Sequence, residues 1–242
     1  MELTPPVPTF PRIRDHWRVA MGYALILAVL WSPVPAQRPL YILAVLFILA
    51  DTWIAFEGWS AMGLRRMNFL ESIWVPTLAL AIATVAVFAA LHRQTLHPLG
   101  GPMVYVRGFW AYALWAFAQQ WLMQGFFLLR FLRVFSTGRV AAISAATLFS
   151  LTHLPNPVLT ALTLLWGLIA CFVFLRYRNL YTVAITHAIL GICVAITVPG
   201  PITHNMRVGR GYLTWPGNHP PVQPAQQANQ LSPNPVLLPM KL

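Results

Sequence analysis

Five side chains able to handle a proton or hold a ligand lie inside apolar stretches of this chain: Gln119, Gln120, Gln124, His153 and His187. A lone amide in hydrocarbon costs roughly a few kcal/mol unless another group pairs with it. On a helix, Gln120 and Gln124 stand one turn apart on one face, with Gln119 beside them. That face must look into a helix bundle rather than at lipid. Phe149 and His153 repeat the four-residue spacing, and His187 follows Thr182 and Thr186 near the middle of a long apolar run. A neutral imidazole is a competent base or metal ligand near neutral pH, whereas an amide can orient a water but cannot take its proton. The same five residues could equally serve as hydrogen-bonding glue between helices, imidazole against amide.

The elements that must position them are membrane helices. The chain has 242 residues, 58% of them hydrophobic and 9% charged, against about 25% charged in soluble domains. This points to an all-α, polytopic transmembrane bundle of 6–8 helices. Apolar runs fall at 19–30, 40–56, 69–91, 109–129, 140–153, 158–175 and 180–198. The first is short and ends at Ser32-Pro33. The run at 140–153 is also short and rich in small residues (Ala141, Ala142, Ser144, Ala145, Ala146), which let helices approach closely. Residues 1–18 read as a basic, Pro-rich cytoplasmic tail and 19–201 as the bundle. Residues 202–242 read as a polar tail, disordered from about 216 because it is rich in Pro, Gln and Asn with no apolar period. Residues 204–207 read as an anchor after the last span.

Charge sets the orientation and excludes some chemistry. The net charge of +11 is mostly arginine between apolar runs, which is the positive-inside signal rather than a nucleic-acid footprint. Counting Lys and Arg puts the N-terminus in the cytoplasm, and the plasma (inner) membrane is the expected location. The five acids are Glu2, Asp15, Asp51, Glu57 and Glu71; none follows Glu71, so a paired-carboxylate site in the last two-thirds is excluded. Asp51 and Glu57 are expected to pair with Arg65, Arg66 or Arg107. Cys171 and Cys193 lie in apolar runs and read as packing residues rather than a disulfide.

Phe149-Ser-Leu-Thr-His153 resembles the Phe-x-x-x-His motif of the CAAX prenyl protease and bacteriocin-processing family of intramembrane proteases. His187 stands where that family's last motif, His-x-x-x-Asn or His-x-x-x-Asp, begins. Gln119-Gln120-Trp-Leu-Met-Gln124 stands where its first motif, Glu-Glu-x-x-x-Arg, belongs. Order, helix context and gaps agree over roughly residues 55–198. The resemblance implies an intramembrane endopeptidase, of metallo- or glutamate type, acting on membrane-tethered or lipidated peptides. In such a protein a motif glutamate activates water, the histidines hold that water or a divalent metal such as zinc, and the asparagine steadies the oxyanion.

This chain departs from the pattern at four places. Both motif glutamates are glutamine, the motif arginine is Gln124, and the last motif closes on Gly191. General-base catalysis is worth roughly 100- to 10,000-fold, so its loss must be replaced or accepted. His153 or His187 could be the substitute base, Asn156 could supply the missing amide donor, and Asp51 or Glu71 could reach in from an earlier span. Gln119, Gln120, His153 and His187 are therefore the candidate catalytic set, with Gln124, Phe149, Asn156 and Gly191 in support. Three functions fit: a divergent endopeptidase, a pseudoprotease that binds membrane peptides or lipids on the same fold, and a protein carrying haem between His153 and His187.

Overall fold

The computed structural model describes residues 12–96 and 102–215. The expected tail from 216 onward, most of the amino-terminal tail and the Gly100-Gly101 turn lie outside the described residues. All regular structure among the described residues is helical. Helices α1 (Arg12–Trp31) and α2 (Val34–Ile54) form a hairpin broken at Ser32 and Pro33. A turn of helix, α3 (Phe69–Ser72), leads into α4 (Trp74–His92). Helix α5 (Pro102–Gln120) runs without interruption into a π-helical segment, Trp121–Leu128, and on into α6 (Leu129–Val134). Then come α7 (Gly138–Leu151), α8 (Pro157–Tyr177) and α9 (Leu180–Thr197). The short helices α10 (Gly200–Thr203) and α11 (Gly209–Leu213) close the chain.

Four helical stretches are long and apolar enough to cross a bilayer: Val34–Ile54, Phe69–His92, Pro157–Tyr177 and Leu180–Thr197. Their surfaces carry the mark of lipid contact. Leu78, Leu80, Ile82, Val85 and Phe88 on α4, and Leu165, Ile169 and Phe172 on α8, are exposed. A water-soluble surface does not present stripes of that size. The sequence-based expectation of an all-α helical membrane bundle agrees with this architecture.

Local signals explain where the helices begin. Thr137, Asn156 and Asn179 each accept a hydrogen bond from the backbone N–H three residues on, capping α7, α8 and α9. Pro157 follows the Asn156 cap at the first helical position, where a missing N–H costs nothing. Helices α7 and α8 pack most closely, and small residues make this possible. Ala141, Ala142, Ala145 and Ala146 are buried, and a Cβ on Gly167 would come within 3.2 Å of the Ala146 backbone.

Charged groups gather at one end of the bundle, and here the expected pairing is corrected. Asp51 binds Arg18 (2.9 Å) and Arg130. Glu57 binds Arg133 (2.6 Å), which also approaches Asp15 at 3.6 Å. Arg65 and Arg66 do not serve Asp51 or Glu57. They lie in a loop held against the α8–α9 turn, where Asn179 donates to the Arg65 and Met67 carbonyls and Leu180 N–H donates to Gly63. The physical reason is burial: Asp51 is 7% exposed and needs guanidinium groups that are themselves inside the bundle.

At the other end the last segment folds back. Gly209 N–H donates to the Leu154 carbonyl, and Gly209 takes a φ of +55° against the end of α1. The His204 ring stacks on Tyr212 (centroids 3.8 Å apart) and on Trp215 (4.6 Å). Residues 204–207, expected only to anchor the chain after its last span, are thus docked on the α7–α8 turn.

Candidate functional site

The fold brings four of the five polar side chains together at mid-bundle. The π-helical segment delivers the amides. Leu129 N–H bonds the Gln124 carbonyl five residues back, which widens the turn and alters which side chains face inward. Arg130 steadies this segment from below, donating to the Phe126 carbonyl (2.8 Å) with its guanidinium over the Phe126 ring (3.9 Å). Gln120 and Gln124 are fully buried. Gln119, on the adjoining face, is half-buried and joins none of the amide contacts among the described residues.

The buried amides form a directional chain. Gln124 Nε2 donates to Gln120 Oε1 (3.3 Å), and Gln120 Nε2 lies 2.9 Å from Nδ1 of His187. With the Gln120 oxygen used as acceptor, its –NH2 is the group that faces His187. An amide nitrogen can only donate, so Nδ1 of His187 accepts and the ring proton resides on Nε2. His153 is set the opposite way. Its Nδ1 faces the Phe149 carbonyl at 2.8 Å. A carbonyl can only accept, so Nδ1 carries the proton and Nε2 keeps its lone pair. Both imidazoles pack on the Phe149 ring, His153 at 5.0 Å and His187 at 5.9 Å between centroids. The site therefore holds one imidazole poised to accept a proton and one poised to donate a hydrogen bond.

Two expected contributors are engaged elsewhere. Asn156 is fully buried, with its amide protons going to the Thr203 carbonyl (2.7 Å) and the Arg207 carbonyl (3.1 Å) while its oxygen caps α8. It is a clamp on the carboxy-terminal segment, with no proton left for a substrate. Asp51 is consumed by Arg18 and Arg130, and Glu71 is exposed. No carboxylate among the described residues reaches the imidazoles. Nor do the described residues contain any group of three or more His, Cys, Asp or Glu able to hold a metal ion. A catalytic zinc takes three protein ligands, and His187 already has one ring nitrogen bonded to Gln120. The donor set does not fit that ion.

Two neighbours escaped the sequence. Trp166 packs on His187 at 6.2 Å, and its buried indole N–H has no partner; the same is true of Gln124 Oε1. A stranded donor and a stranded acceptor in one site are unusual in a folded interior. Tyr112 fills the space beside Gly191, so that a Cβ there would land on the tyrosine hydroxyl and ring. Trp166 carried no sequence signal, but the glycine at the end of the last motif was one for Tyr112. Along the same two helices runs an apolar cleft of about 240 Å³, lined by Phe109, Trp110, Ala113, Phe117, Tyr181, Ala184, Ile185, Ala188 and Ile189.

Helix α5, the π segment and helices α6 to α9 up to Cys193 coincide with a known family. Residues 102–193 match the model of the type II CAAX prenyl endopeptidase Rce1-like family. Over these residues the chain is similar to that family. No curated protein and no solved structure matches the chain. The Rce1-like segment contains every residue of the amide–imidazole cluster, together with Tyr112 and Gly191. Helices α1 and α2 and the Asp15, Asp51 and Glu57 carboxylates lie outside the matched residues.

Proposed function

We propose that this chain is a CAAX-protease-like intramembrane endopeptidase for membrane-tethered or lipidated peptides, with His153 as its general base. The reading rests on the opposed settings of the two imidazoles. Water bound between them loses a proton to Nε2 of His153 as it attacks the scissile carbonyl, and Nε2–H of His187 donates to the carbonyl oxygen. The His153 imidazolium is steadied by the Phe149 carbonyl and returns its proton to the leaving amine. The apolar cleft between α5 and α9 suits the lipid portion of such a substrate. Glu-type water activation is absent, so turnover is slow.

Orientation follows the charges. The loops that carry Arg65 and Arg178, and the end of α6 with Arg130 and Arg133, share one end of the bundle. We place that end and the N-terminus in the cytoplasm, and the protein in the plasma (inner) membrane.

A second reading is favoured by one observation: no described carboxylate meets the imidazoles. On that reading the chain is a pseudoprotease that binds membrane peptides without cutting them. Purified protein in proteoliposomes, offered a library of tethered reporter peptides, decides between the two. Cleavage by wild type that is lost in His153→Ala establishes the histidine base. No wild-type cleavage, with activity appearing only in Gln119→Glu/Gln120→Glu, removes the histidine base and leaves the pseudoprotease reading.

A further inference from the structure

Tyr112 and Gly191 occupy each other's space. Gly191 lies one turn beyond His187 on the same face of α9. It is buried, yet a Cβ on it would meet the Tyr112 hydroxyl, with Cζ and Cε1 of the ring at 2.5 and 2.7 Å. The tyrosine thus places its hydroxyl where the Cβ of any other residue at 191 would be. Helix α5 contributes Gln120 to the amide chain and, two turns earlier, Tyr112. Among the described residues no hydrogen bond engages the Tyr112 hydroxyl. Tyr112 is half-buried, and its hydroxyl is held against bare backbone one helical turn along α9 from His187.

We propose that Tyr112 is a substrate-contacting residue whose hydroxyl donates to the peptide carbonyl bound beside His187. This rests on the reading of the cluster as a peptide site. The carbonyl would then meet two donors, Tyr112 O–H and His187 Nε2–H. The glycine at 191 is required because the hydroxyl lies where its side chain would be. The hydroxyl forms no covalent bond and gives up no proton; it only polarises the carbonyl.

The test uses the full chain in phosphatidylethanolamine–phosphatidylglycerol vesicles. Three probes are compared: a tethered reporter peptide, an N-acylated peptide aldehyde and the matching peptide alcohol. Tyr112→Phe keeps the ring and removes only the hydroxyl. It is expected to weaken aldehyde binding about tenfold and lower kcat on the reporter about 100-fold, with KM and alcohol binding unchanged. Gly191→Ala, which drives the hydroxyl away, is expected to produce the same loss and no further loss when combined with Tyr112→Phe. Equal aldehyde binding by wild type and Tyr112→Phe overturns the proposal, as does an equal loss of aldehyde and alcohol. Wild type that binds the aldehyde without cutting the reporter, with Tyr112→Phe weakened, upholds Tyr112 and removes the catalytic reading alone. Wild type that neither binds nor cuts removes both.

Discussion

Gln120 donates to Nδ1 of His187 across 2.9 Å, and this one bond decides which face of that imidazole carries the proton. A glutamate at 120 would invert it, because a carboxylate only accepts and would draw the proton onto Nδ1. Imidazole 15N spectra of the selectively labelled protein should show wild-type His187 as the Nε2–H tautomer and Gln120→Glu as the Nδ1–H tautomer. An unchanged spectrum in the variant would show that the amide does not set the ring.

Arg130 ties the amide-bearing π segment to the ion-pair cluster. Its guanidinium binds Asp51, donates to the Phe126 carbonyl and is 2% exposed. Arg130→Ala leaves Asp51 with only Arg18 and frees a carbonyl of the π segment. Breaking a buried pair from one side costs about 3–5 kcal/mol, so the variant should unfold at a clearly lower temperature in detergent. Arg130→Met/Asp51→Leu, which removes both charges but leaves Arg18 with only Asp15 at 3.9 Å, should recover part of the loss. A double variant as unstable as the single one would mean that the Phe126 contact, not the ion pair, carries the stability.

The parts of this design that show in the sequence are those where an apolar run is interrupted. Amides and imidazoles inside such runs are costly enough to announce themselves, which is why Gln120, Gln124, His153 and His187 could be singled out before their neighbours were known. The ion pairs were not legible, since nearby charges suggested Arg65 and Arg66 while the fold brings Arg130 to Asp51 across 79 positions. The π-helical turn was also hidden, because one extra residue per turn leaves no trace in a uniformly apolar stretch. Asn156 is ambiguous in sequence for a different reason. An asparagine directly before Pro157 has the signature of a helix cap, while its closeness to His153 in sequence suggests a site residue.

Asn156→Ala separates these two roles. As a cap and clamp, its loss costs about 1 kcal/mol for the α8 cap and roughly 1–3 kcal/mol for the stranded Thr203 and Arg207 carbonyls. The variant should melt earlier and lose protection of residues 200–215 against protease, with kcat on a tethered reporter within about twofold of wild type at temperatures where it is folded. A fall in kcat of about 100-fold without loss of stability would instead mark a donor to the substrate.

Metal removal provides the last test. The described residues offer two imidazoles at the site, one of them bonded through Nδ1 to Gln120, and no carboxylate or thiolate group completes a set of three. Such a pair binds a divalent ion weakly compared with a three-ligand zinc site. Cleavage or peptide binding by the reconstituted protein should therefore persist after dialysis against a strong chelator, and added zinc should not raise it. His187→Ala should abolish activity in chelator and in zinc alike, because its role is to donate a hydrogen bond rather than to hold an ion. Activity that disappears in chelator and returns with stoichiometric zinc would require a third ligand from outside the described residues, and would replace the histidine base with a metal-activated water.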